Sequence, residues 1–207
     1  MLITPKECED LIALYEEESR FRSRIVMERY AFGRGEYKYF GYPLLDLVSR
    51  LRTELYTHLA PIANRWHTAM RMGERFPAEH HEFIQICNAA GQARPTPLML
   101  RYGPRDYCCL HQDLYGDHVF PFQVVFLLSA PHKQFTGGEL LLTEMDPKRD
   151  SRAEVVPLRL GQAVVFPVNS RPIRSSRGFY RVNFRHGVSQ IHTGNRHTLG
   201  LIFHDAK

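Results

Sequence analysis

The sequence predicts an α+β protein in which N-terminal helices pack on an antiparallel β sandwich or barrel, of which the jelly roll is one solution. Three observations lead there. The first half carries apolar residues at helical spacing, the second half breaks into short apolar runs divided by turn residues, and no Gly- or Ser-rich linker separates the halves. At 207 residues the chain is long enough for one sizeable core. We therefore expect a single domain, with residues 1–96 as helical and hairpin support and 97–207 as the jelly-roll core.

Thr4-Pro5-Lys6-Glu7 combines an N-cap hydroxyl, a proline at the first helical position and a glutamate three residues after the cap, which predicts a helix start. Leu11, Ile12, Leu14 and Tyr15 form its apolar face, and it fades near Ser19. Residues 24–30 and 36–40 read as strands joined by a three-residue hairpin loop, Gly33-Arg34-Gly35. This hairpin interleaves aromatics, Tyr37 and Tyr39 among them, with cations. Such a surface stacks bases and holds phosphates, and it equally suits a curved edge hairpin packed on a core. Leu44, Leu47, Val48, Leu51, Leu55 and Leu59 predict a long amphipathic helix up to Pro61, with resumption through Trp66. A third helix over 79–90 turns Phe83, Ile84, Ile86 and Cys87 inward and leaves His80 and His81 on the surface. Beyond Pro97 the runs 98–102, 123–128, 139–143, 155–158, 163–167, 180–188 and 197–203 read as short antiparallel strands.

Composition narrows the class. Hydrophobic residues at 43% and charged residues at 24% are those of a globular chain. No apolar run approaches the roughly 18 residues of a membrane helix, and the N-terminus lacks a basic segment followed by an apolar one, so the cytoplasm is the expected compartment. Cys8, Cys87, Cys108 and Cys109 lack metal or disulfide-scaffold spacing and read as reduced thiols. The net charge of +5 is concentrated: Arg171, Arg174, Arg177, Arg181 and Arg185 lie in a stretch without an acid. That is the footprint of an anionic partner, nucleic acid above all. The other reading is a solvated loop whose charges pair with acids elsewhere.

The chemistry centres on His111-Gln112-Asp113 at the tail of an apolar run. On extended backbone an imidazole and a carboxylate two residues apart share a side and can reach one metal. The tripeptide alone is a weak motif and needs company. In the late strand, Val182, Phe184, His186 and Val188 share the inward face, with Arg181, Asn183 and Arg185 on the other. His186 is thus a candidate third ligand of a two-histidine, one-carboxylate set suited to Fe(II). Arg196 and Thr198 follow on one face of the last strand. A guanidinium among apolar residues needs a carboxylate partner, which is either Asp205 or a dicarboxylate ligand. His192 and His118 are rival ligands, and Cys108-Cys109 suggests zinc but lacks a second Cys/His pair.

His111-x-Asp113, His186 and Arg196 ten residues beyond it resemble the Fe(II)/2-oxoglutarate-dependent dioxygenases, with the spacing of the prolyl-hydroxylase-like branch. Tyr102-Gly-Pro-Arg-Asp106-Tyr107 and Gly137-Gly138-Glu139-Leu140 are similar to that branch's strands and turns, and the resemblance covers roughly 97–204. More narrowly, Leu110-His-Gln-Asp-Leu-Tyr-Gly and Arg185-His-Gly-Val-Ser resemble a bacterial group of 2-oxoglutarate oxygenases loosely associated with AlkB-type nucleic-acid dealkylases. The resemblance implies a double-stranded β-helix core of the jelly-roll or cupin-like type, Fe(II) on His111, Asp113 and His186, and 2-oxoglutarate clamped by Arg196 with Thr198 and Tyr102. It also implies O2 as the third reactant, with hydroxylation of a substrate coupled to release of succinate and CO2. One implied substrate is alkylated nucleic acid, a DNA-repair role in which Arg171, Arg174 and Arg177 face phosphates while Tyr37 and Tyr39 stack a base. The alternatives are a protein or small molecule hydroxylated in the prolyl-hydroxylase manner, or a cupin-like binding module without turnover. Oligomeric state is not legible in the sequence.

Overall fold

The computed structural model describes residues 2–207. Helix α1 (Pro5–Leu14) begins at the expected capping box: Thr4 Oγ1 accepts from the Glu7 N–H at 3.2 Å, and the Glu7 carboxylate accepts from the Thr4 N–H at 2.7 Å. It ends well before Ser19. Tyr15 is buried and its carbonyl accepts from the buried ammonium of Lys38 at 2.8 Å, an anchor outside the helix.

Strand β1 (Phe21–Val26) leads through a 3-10 turn (Met27–Tyr30) into β2 (Gly33–Arg34) and β3 (Glu36–Phe40). The expected strand at 24–30 is therefore displaced toward the N-terminus, and Gly33-Arg34-Gly35 is not a hairpin loop. The segment 27–35 crosses between two sheets: β1 pairs with β3, whereas Gly33 and Arg34 pair with Cys108 and Tyr107. Glycine is required at the crossing, because a Cβ on Gly33 would lie 2.5 Å from the Tyr107 carbonyl oxygen.

Helix α2 (Asp46–Ala69) takes in both the stretch expected up to Pro61 and its resumption through Trp66, unbroken at the proline. The lost hydrogen bond costs about 3 kcal/mol, and burial of Leu59, Ala60, Ala63 and His67 on both sides of the proline offsets it. Helix α3 (His80–Ala89) buries Phe83 and Cys87 as expected, but Ile86 is 40% exposed. His80 is not a surface residue. Its ring packs 4.9 Å from that of Tyr56, and Nε2 lies 2.8 Å from the Phe203 carbonyl.

The remaining strands are β4 (Leu98–Tyr102), β5 (Tyr107–His111), β6 (Phe122–Leu127), β7 (Phe135–Gly137), β8 (Leu140–Met145), β9 (Arg152–Val156), β10 (Ala163–Pro167), β11 (Ser170–Ser175), β12 (Gly178–Val188), β13 (Ile191–Gly194) and β14 (Arg196–Ile202). One sheet has the order β1-β3-β4-β14-β6-β10. The other has β2-β5-β12-β8-β9 with β11 also on β12, and β13 pairs with β7 in a separate ribbon. All pairings between these strands are antiparallel. The arginine-rich stretch from Arg171 to Arg185 accordingly spans both arms of the β11–β12 hairpin, not a loop.

Alternation along the first sheet makes two interiors. Met99, Phe122, Val124, Phe126, Leu199 and Leu201 face the helices in the main core, while Leu98, Leu100, Tyr102, Gln123, Val125, Arg196 and Thr198 face the second sheet. The α+β class and the jelly-roll core are as the sequence predicts. Among the described residues no helix is long and apolar enough to cross a membrane.

Candidate metal centre

The space between the sheets is a cavity of about 340 Å³. His111 at the end of β5 lies directly across from His186 on β12, and Asp113 follows in the turn. One ligand atom from each of the three, a ring nitrogen of either histidine and a carboxylate oxygen of Asp113, lies within 4.8 Å of the other two. His111 Nε2 is 3.5 Å from Asp113 Oδ1, and His186 Nε2 is 3.3 Å from Asp113 Oδ2. His111 Nδ1 donates to the Cys109 carbonyl at 2.9 Å, which leaves Nε2 as the free donor atom turned into the cluster. Burial pushes the Asp113 carboxyl up, but the hydrogen bonds and charges of the two histidines outweigh it and hold the group well below the usual carboxylate range. Burial also lowers His186, favouring the neutral imidazole that a metal requires.

Arg196, Thr198 and Tyr102 line the same cavity and are all buried. The Arg196 guanidinium sits over the Tyr102 ring at 5.7 Å, and its Nε is buried without a hydrogen-bond partner. Asp205 is not its partner, since that carboxylate belongs to Arg52, 2.8 Å away on the helix side of the sheet. Met27, Phe32, Leu98, Leu100, Val125, Leu140 and Val188 form the apolar part of the wall.

The expected substrate residues separate. Tyr37 lines the cavity, its ring 6.3 Å from that of Phe32. Tyr39 is buried with its ring edge-on to Tyr37 at 5.3 Å and is not part of the cavity wall. Arg171 lies over the Phe184 ring at 5.6 Å and is paired with Glu144 at 2.7 Å. Arg174 and Arg177 are exposed in the β11–β12 hairpin, and neither lines the cavity. Of the rival ligands, His192 is exposed in β13 and His118 pairs with Glu74 at 2.9 Å. Cys108 is buried facing the cavity while Cys109 is exposed, so the adjacent thiols do not converge.

Several residues that sequence reading missed hold the cluster in place. The Gln112 side-chain amide donates to Asn169 Oδ1 at 2.8 Å and to the Phe184 carbonyl at 2.7 Å, tying the turn between His111 and Asp113 to the strand that carries His186. Tyr115 donates its hydroxyl to Asp113 Oδ1 at 2.8 Å, and the Gln123 amide lies 3.3 Å from His186 Nδ1. Such partners fix ligand orientation. The one local signal was their position: Gln112 lies inside the tripeptide and Tyr115 two residues beyond it.

Comparison with known proteins agrees with this geometry. A Pseudomonas putida prolyl-4-hydroxylase superposes over 100% of this chain and 89% of its own, with a TM-score of 0.57 and 12% identity. A viral collagen prolyl hydroxylase from Paramecium bursaria chlorella virus-1, solved as a 2-oxoglutarate complex, covers 97% of this chain and 91% of its own, with a TM-score of 0.54 and 14% identity. At these identities the likeness is one of fold. An uncharacterized protein of Mycobacterium tuberculosis (strain H37Rv) is 46% identical over 167 residues, 81% of this chain and 72% of the relative. Residues 35–206 match the Oxygenase-NA family, described as an oxygenase catalysing oxidative methylation of damaged DNA. Because that match takes in all but β1 and β2 of the two sheets and every residue of the His-Asp-His cluster, the chain belongs to the Oxygenase-NA family.

Proposed function

We propose that the chain oxidises N-alkyl groups of damaged nucleic acid in the cytoplasm, using Fe(II), 2-oxoglutarate and O2. The observation that carries the cofactor reading is the Arg196 guanidinium, buried with an unpartnered Nε in the cavity that also holds the His-Asp-His cluster. A buried unpaired cation is costly, and a dicarboxylate that also reaches the metal removes the cost. The residues therefore fit the group. His111, Asp113 and His186 would hold the iron, and Arg196 would take the far carboxylate in a charge-assisted pair with Thr198 and Tyr102 beside it.

Bound there, iron and cosubstrate would supply an oxidant with release of succinate and CO2, and an oxidised N-methyl group would leave as formaldehyde. The protein's part is placement. Tyr115 and Gln112 keep Asp113 and His111 turned together, and the apolar wall excludes water from the reacting centre. Phe32, its ring 6.5 Å from that of His111, and Tyr37 offer flat faces to a base entering beside the metal. The nucleic-acid assignment draws on the family description and on the exposed cations Arg174 and Arg177, Arg171 being taken by Glu144. Hydroxylation of a peptide or small molecule is the competing reading. It draws on the prolyl-hydroxylase fold, and fold alone does not choose a substrate. A binding-only barrel would leave both the ligand cluster and the unpaired guanidinium without a purpose.

Succinate formation assayed across methylated DNA, methylated RNA and peptide panels tests the proposal. We expect turnover with methylated nucleic acid and its abolition in His111→Ala and Asp113→Ala. Unchanged succinate yield in either variant would remove the metal assignment, and turnover confined to the peptide panel would replace the substrate.

A further inference from the structure

The strand that presents His186 inward presents a different chemistry outward. Along β12, Val182, Phe184 and His186 are buried on the inner side, whereas Phe179, Arg181, Asn183 and Arg185 are exposed on the outer side. The hairpin partner adds to this face: Arg174 pairs directly with Phe179, so both project outward, while Arg171 pairs with Val182 on the inner face. On the other flank, Thr143 and Met145 of β8 lie opposite Arg185 and Asn183, and Ala153 of β9 lies opposite Thr143. None of these outward positions is acidic.

The outer cations are not neutralised. Among the described residues Arg174, Arg177, Arg181 and Arg185 take part in no ion pair, in contrast to Arg171 with Glu144. Arg181 alone is anchored, donating to the Met70 carbonyl at 3.1 Å. The acids at the rim, Asp146 and Asp150, share their turn with Lys148 and Arg149, and Asp146 accepts from the Tyr180 hydroxyl at 3.0 Å. Phe179 is 54% exposed at the end of the row. Alternate residues on a strand are spaced by about 6.7 Å, close to the reach of one nucleotide in an extended strand. Phe179, Arg181, Asn183 and Arg185 thus form a ladder of one aromatic face, two cations and one amide.

We infer that the outer face of β11 and β12 is a docking surface for the backbone of a single nucleic-acid strand, separate from the metal cavity. Charge complementarity and the stacking face select this occupant: phosphates meet Arg174, Arg181 and Arg185, and an unpaired base stacks on Phe179. The inference rests on the nucleic-acid reading proposed above and adds where the strand is held.

The test is fluorescence anisotropy of a labelled single-stranded DNA oligonucleotide with the full chain at several salt concentrations. The triple variant Arg174→Gln/Arg181→Gln/Arg185→Gln should lose affinity, and the slope of log affinity against log salt should shrink by about two, roughly 0.7 for each phosphate no longer neutralised. Phe179→Ala should weaken binding roughly tenfold. Arg50→Gln on α2, one cation removed elsewhere, should change neither. Because Arg181 also anchors to Met70, the double variant Arg174→Gln/Arg185→Gln serves if the triple one does not fold. Wild-type affinity and slope in the double variant would overturn the inference, as would equal loss in Arg50→Gln. Displacement of the oligonucleotide by polyglutamate with unchanged affinity in Phe179→Ala would overturn the nucleic-acid assignment in favour of an acidic protein. Succinate assays separate this from the substrate reading. Turnover of methylated oligonucleotide with unaltered binding by the variants overturns the surface alone, whereas binding lost in the variants without turnover of any methylated nucleic acid supports the surface and overturns the substrate.

Discussion

Two arginines, Arg52 and Arg196, are each 2% exposed, on opposite faces of the same sheet, and their surroundings differ completely. Arg52 on the helix side donates from Nε to the Ile202 carbonyl at 2.8 Å and from a terminal nitrogen to Asp205 at 2.8 Å, with Tyr42 and Thr96 as further partners. Arg196 on the cavity side has an orphaned Nε and no carboxylate partner. A buried cation that folding has neutralised is part of the scaffold. One left unpaired at the wall of a cavity is kept for something that arrives later. The contrast explains why Asp205, the one nearby acid in the sequence, is the wrong partner: it was already needed by Arg52.

The largest effect should come from Asp205→Ala, which strands Arg52 and should cost about 3–5 kcal/mol of stability while leaving metal affinity intact, as read from urea unfolding and iron titration. A loss of metal affinity without a loss of stability would erase the distinction between the two sides. Next, Arg196→Met should raise the 2-oxoglutarate requirement by roughly a hundredfold, about 2.7 kcal/mol of lost interaction, with unliganded stability unchanged or higher because an unpaired charge has gone. Cosubstrate with iron should raise the melting temperature of the wild type and not that of the variant. Destabilisation comparable to the loss of Asp205 would show that Arg196 has a structural partner after all.

The smallest effect, read per pH unit, concerns histidines away from the cluster. Burial pushes His80 and His204 down to about 3 and His197 down to about 4. The unfolded chain takes up protons near pH 6.5, so between there and about pH 4 it binds protons that the folded chain refuses. Stability is complete above that window and falls with pH inside it, by up to about 1.4 kcal/mol per pH unit for each histidine. Urea midpoints at pH 7, 6 and 5 should show this decline, and His80→Gln should flatten it. A midpoint independent of pH would mean these rings are charged in the fold.

Much of the molecule was legible beforehand. The capping box at Thr4 and Glu7 is local and forms as written, and period-two alternation placed His186 inward and Arg185 outward. What failed was long-range. Helix α2 ignores Pro61 because tertiary burial outweighs a local penalty, and His80 is drawn inward because α3 lies against Phe203 and Tyr56. The linear cluster of arginines suggested one patch, but strand pairing divides it, sending Arg171 to Glu144 on the inner face and Arg174, Arg181 and Arg185 to the outer one.

The sequence by itself determined the fold class, the tripeptide at 111–113, the inward parity of His186 and the shared face of Arg196 and Thr198, because each follows from neighbours within a few residues. Only the tertiary structure decided that His111 sits across from His186, that Gln112 and Tyr115 brace the cluster, and that Arg52 rather than Arg196 takes Asp205. The physical reason is that side-chain direction is a local property of extended backbone, whereas partnership depends on which strands pair and in what register.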